Sequence, residues 1–79
     1  MGTVTTTLYE VNSNGILQVT SVPDISLLES LGLRTGTQIV ILNRYSLGGP
    51  VLLRVEGAYS IALGKDIAQQ VSVREVTAS

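Results

Sequence analysis

The most restrictive feature of this sequence is how often glycine or proline cuts its branched apolar runs. Runs 38–43, 51–56 and 59–63 are five or six residues long, and Gly36, Gly48-Gly49-Pro50, Gly57 and Gly64 bound them. Proline offers no ladder donor and paired glycines resist regular structure, so each boundary ends an element. Apolar segments this short and this rich in branched side chains read as strands, not helices. Within 51–56, Val51, Leu53 and Val55 alternate with Leu52, Arg54 and Glu56, which gives one buried and one wet face. Composition agrees: 24 of the 79 residues are Val, Ile or Thr, and only four are Ala.

The flanking segments read as follows. The polar, threonine-rich residues 1–7 predict a frayed start and one short edge strand, anchored by Leu8, Tyr9 and Val11. Asn12-Ser13-Asn14-Gly15 is a turn, and in 16–22 Leu17 and Val19 alternate with Gln18 and Thr20 as a half-buried strand. Asp24 is placed to cap a two-turn helix whose stripe is Leu27, Leu28 and Leu31, ending at Gly32 in left-handed backbone. Such a helix is unstable alone and must pack on a sheet. Residues 65–69 suit one helical turn capped by Asp66, and 71–74 alternate again as a final strand.

Residues 1–79 are therefore expected to be one mainly β domain of five to six strands with one short α-helix and a short helical turn. A chain this small cannot stack two useful sheets. A closed barrel, which leaves no exposed edge, is the economical solution, and the SH3-like form is favoured over the OB-like one.

Most catalytic chemistry is missing. With no Cys and no His, there is no disulfide, thiolate, imidazole ligand or imidazole base. The P-loop pattern fails at Gly64-Lys65, where Asp66 replaces the hydroxyl and Tyr59 the first glycine. No two carboxylates lie closer than five positions apart, which is poor spacing for an oxygen-ligated metal. Lys65 is the only lysine, a remote base for any serine. Net charge is −1, from −2 through Val40 and +1 beyond it, so no basic stripe exists for nucleic acid or anionic lipid. The longest uncharged apolar run, 39–42, falls far short of the roughly 20 residues that span a bilayer. The expectation is a non-enzymatic, cytoplasmic, unprocessed protein that holds no metal or cofactor of its own and does not insert into a membrane.

The stretch Leu28-Glu29-Ser30-Leu31-Gly32-Leu33-Arg34-Thr35-Gly36-Thr37, then Leu47-Gly48-Gly49-Pro50 leading into Val51-Leu52-Leu53-Arg54-Val55, resembles the FeoA family, ferrous iron transport protein A. The segment from Gly57 to Ala68 fits the family's closing pattern of a short strand and a helical turn. The resemblance spans roughly residues 8–75 and implies an SH3-like barrel that assists ferrous iron uptake. It implies as partner the membrane transporter, ferrous iron transport protein B, whose cytosolic region carries a GTP-binding domain. It also implies a relationship to the C-terminal domains of iron-dependent repressors, hence an alternative role as a free-standing metal-responsive regulatory domain with weak divalent-metal binding. Two departures stand out. Ser13-Asn14-Gly15 replaces the family's proline-led turn, and Asp24, Ser26 and Ser30 stand where arginines commonly precede the helix leucines.

The candidate partner-binding residues are Tyr45, Leu47, Gly48, Gly49 and Pro50 in the loop between the first two central strands, with Glu29 on the outer helix face. Tyr45 and Leu47 would act as apolar anchors at a loop tip. The competing reading folds Leu47 back over the barrel mouth as core. A third function class, an oligonucleotide-binding barrel, has only Tyr9, Tyr45 and Tyr59 to stack bases.

Overall fold

The computed structural model describes residues 6–12, 15–45 and 47–76. The elements in chain order are β1 (Thr6–Thr7), β2 (Ile16–Ser21), α1 (Ser26–Ser30), β3 (Gln38–Arg44), β4 (Val51–Val55), β5 (Ser60–Leu63), α2 (Lys65–Ala68) and β6 (Ser72–Glu75). The six strands form one antiparallel sheet in the order β1-β6-β2-β3-β4-β5. Of the start predicted to be frayed, 1–7, residues 1–5 lie outside the described residues, as do Ser13 and Asn14 of the first predicted turn, while Thr6–Thr7 form β1.

The alternation read from the sequence sets the faces. Leu17 and Val19 of β2, and Val51, Leu53 and Val55 of β4, point into one core that also takes Leu8 beside β1 and Leu63 of β5. Both ends of the sheet thus wrap around the same apolar cluster. Among the described residues the hydrogen-bond ladder does not close: β1 and β5 are its outer strands and do not pair. The SH3-like architecture holds, and the expectation that it abolishes both edges is corrected. Among the described residues the open edges are short instead, four residues of β5 and two of β1. No helix among the described residues is long and apolar enough to cross a membrane.

Helix α1 is shorter than its leucine spacing suggests. Asp24 does not cap it; the capping position is Ile25, with no side-chain cap bond. Of the predicted stripe only Leu28 is buried, Leu31 is half-buried and Leu27 is 55% exposed, because one turn of helix can aim only one side chain at the sheet. Its end follows expectation. The Gly32 N–H donates to the Glu29 carbonyl at 3.0 Å and the Leu33 N–H to the Leu28 carbonyl at 2.9 Å, with Gly32 at φ +83°. This is a Schellman termination, and Leu28 and Leu33 supply its apolar contact from within the core. Thr37 then ties the connection down: its Oγ1 donates to the Gly32 carbonyl at 3.1 Å and accepts from the Arg34 N–H at 3.2 Å. At α2 the predicted cap is also displaced, with Gly64 at the capping position and Asp66 inside the first turn.

Candidate docking site

The loop between β3 and β4 is built by two interruptions of the ladder. The Tyr45 N–H donates to the Pro50 carbonyl at 3.2 Å, and Pro50 has no N–H to return, so the ladder stops there. Leu47 and Gly48 follow with consecutive positive φ angles of 60° and 79°. Two successive left-handed residues are what a tight hairpin reversal with the right strand twist requires, a place usually given to Asn-Gly. Here leucine holds the first position and is fully exposed, at 102% of its reference area. The alternative in which Leu47 folds over the core is excluded. Tyr45 beside it is 48% exposed, Gly49 is half-buried, and Gly48 and Pro50 are exposed.

The floor of the loop comes from elsewhere in the chain. Lys65, at the start of α2, runs beneath it: a Cβ at Gly48 would sit 3.8 Å from Lys65 Cδ. The Lys65 ammonium lies over the Tyr9 ring at 5.7 Å, a cation–π contact that orients the side chain.

Arg44 enters the sequence reading only as the first residue of the exposed contact loop that runs to Pro50, with no role of its own. In a regular β3 it would share the outer face with Val40. The register against β4 shifts between Ile41 and Asn43, however, so that Ile41 opposes Leu53 and Arg44 opposes Val51. A bulge at Leu42 reverses the alternation and turns the arginine toward the side of the buried Val51, at the end of the core. Its Nε is buried there without a hydrogen-bond partner, while its backbone N–H takes the Asn43 Oδ1 at 2.8 Å. The same bulge leaves Leu42 45% exposed. No sequence signal marks it, because only cross-strand pairing reveals a bulge.

Glu29 stands apart. It lies on α1, where the C-terminal Gly32 would put a Cβ 3.1 Å from the Tyr59 hydroxyl, and Tyr59 follows the far end of β4. It lines an open groove of about 280 Å³ with Asp24 and Arg34. The seven residues of β3, at about 3.3 Å each or ~23 Å in all, separate this end from the 45–50 loop. Five of the six predicted contact residues therefore share one surface, and Glu29 belongs to another. Among the described residues no group of three His, Cys, Asp or Glu side chains is placed to hold a metal ion.

Residues 6–75 match the FeoA domain. The chain belongs to the FeoA domain family. A crystal structure of an iron uptake regulatory protein (FeoA) is 28% identical, with a TM-score of 0.79 over 92% of this chain and 99% of that one. A FeoA-like protein from Clostridium acetobutylicum is also 28% identical, with a TM-score of 0.74 over 100% of this chain and 93% of that one. The repressor ScaR, with bound Zn2+, is 31% identical with a TM-score of 0.79; 90% of this chain matches 37% of ScaR. No curated protein matches the chain. The FeoA-type glycine signature between Leu28 and Thr37 is accounted for by the Schellman turn, the Gly36 turn at φ +98° and the Thr37 tie, all of which serve the fold. In the second signature, Leu47-Gly48-Gly49-Pro50, the leucine is fully exposed and held at positive φ.

Proposed function

We propose that this FeoA domain is a non-enzymatic accessory of ferrous iron uptake, which docks through its 45–50 loop on the cytosolic region of ferrous iron transport protein B and modulates it. The observation that carries the reading is Leu47: fully exposed and held in left-handed backbone that a β-turn would more cheaply give to glycine or asparagine. An apolar side chain kept at a loop tip against its conformational preference is a pre-positioned anchor for another macromolecule. Membership of the FeoA family and the lack of His and Cys support an accessory role over catalysis. Modulation then follows if the loop contacts one conformation of the transporter better than another.

Capture of the transporter's purified cytosolic region by the immobilised domain tests this. Wild type should retain it and Leu47→Asp should lose it; full retention by Leu47→Asp removes the loop from the contact.

A second reading, a free-standing metal-responsive domain, draws on the likeness to ScaR. Calorimetric titration with ferrous or manganous ion separates the two, since saturable tight binding by the isolated chain favours sensing.

A further inference from the structure

Among the described residues, two buried side-chain atoms lack a hydrogen-bond partner, Thr20 Oγ1 and Arg44 Nε, and of these Arg44 is the charged one. The Leu42 bulge turns it toward the core side of the sheet beside Val51, and its Nε is buried with no acceptor. A guanidinium presents its N–H groups as a planar fork that matches a carboxylate, and burial strengthens that pairing. A second cation, Lys65, lies under the same loop, its stem against Gly48 and its head over Tyr9. The exposed Leu47 and Tyr45 belong to the same loop, and Lys65 is exposed beside it.

We propose that the 45–50 loop recognises a protein surface that joins an apolar pocket for Leu47 to a carboxylate that accepts from Arg44, with Lys65 as a peripheral cation. This rests on the docking reading and adds the chemistry of the partner's side. An anionic membrane would be the other surface to receive an exposed leucine beside cations. Two cations on a chain of net charge −1 are a weak lure for a lipid surface, whereas one oriented guanidinium suits one carboxylate.

The test uses the intact chain and the transporter's cytosolic region, with affinity followed by calorimetry at 50 and 500 mM salt. Arg44→Met should weaken binding tenfold or more and blunt its salt dependence. It should leave the urea midpoint of folding equal or higher, because an apolar side chain of similar length replaces an unsatisfied donor. A fall in that midpoint together with unchanged affinity would assign Arg44 a structural role and overturn the proposal. Lys65→Gln, on the exposed surface, serves as the second variant and should cost a smaller factor, two- to fivefold. If Arg44→Met and Lys65→Gln both bind like wild type while Leu47→Asp does not, the carboxylate is refuted and the docking reading stands. If wild type fails to bind, both fall together. Co-sedimentation of the chain with phosphatidylserine-containing vesicles, lost in Leu47→Asp, would overturn the protein partner in favour of a membrane.

Discussion

Leu47 and Gly32 sit at the same kind of backbone position for opposite reasons. At Gly32, φ is +83° and an added Cβ would come within 3.1 Å of the Tyr59 hydroxyl, so glycine is the residue the helix ending demands. Gly32→Ala should destabilise the fold by about 1–2 kcal/mol, the usual penalty for a left-handed side chain, read as a lower urea midpoint. At Leu47 the demand is the same and the residue violates it. Leu47→Asn, which accepts left-handed backbone more readily, should therefore stabilise the domain by up to about 1 kcal/mol while weakening partner capture. Should Leu47→Asn lower stability, the side chain has a folding role and the anchor argument loses its basis. The core answers to ordinary packing: Leu53→Ala, at a site of 0% exposure, should cost about 2–5 kcal/mol, enough to unfold much of a domain this small.

Among the elements, the register shift at Leu42 and the open edge were not legible in the sequence, whereas the strands themselves were. The alternation in 51–56 gave β4 its buried face because β4 is itself unbulged: Val51, Leu53 and Val55 stay on one face while the extra residue of the β3–β4 pair lies in β3. In β3 the same period-two logic places Arg44 outside, and the bulge reverses it. The difference is that alternation is a property of one strand, while a bulge belongs to a pair. Helix α1 was overread in the same way: Leu27, Leu28 and Leu31 have helical spacing, yet with no side-chain cap at Ile25 only one turn forms and only Leu28 is buried. The open edge makes its own prediction. The Val55 N–H donates to the Tyr59 carbonyl at 2.8 Å; by antiparallel alternation Ile61 then bonds inward to Leu53, and Ala62 directs its N–H to the open side. Ile61→Pro should abolish cooperative unfolding, whereas Ala62→Pro should leave a folded domain by circular dichroism; equal damage from both would mean that the β5 edge is covered.

Across the molecule, one apolar cluster is shared by strands from both outer ends of a sheet that does not close among the described residues. Hydrogen exchange should reflect this, with the slowest amides in β6, β2, β3 and β4, which have paired neighbours on each side, and faster exchange in β1 and on the open side of β5. Uniform protection across β5 would imply a closed or dimerised edge. The candidate docking loop and the groove that holds Glu29 lie at opposite ends of the β3–β4 pair. A partner that touches the loop therefore need not touch the helix face, and Glu29→Lys should leave capture of the transporter region unchanged.

The sequence by itself determined that this chain is a small, mainly β FeoA-type fold, and which strand faces are apolar. Those features rest on local rules: residue spacing, glycine's backbone freedom and proline's missing donor. Tertiary structure decided that the ladder stays open, that Leu47 stands in solvent while Leu28 is buried, that Glu29 is remote from the 45–50 loop, and that Arg44 is turned toward the core side of the sheet without an acceptor. Each of those depends on which strand lies beside which and in what register, and pairing between residues distant in sequence leaves no mark on either segment alone.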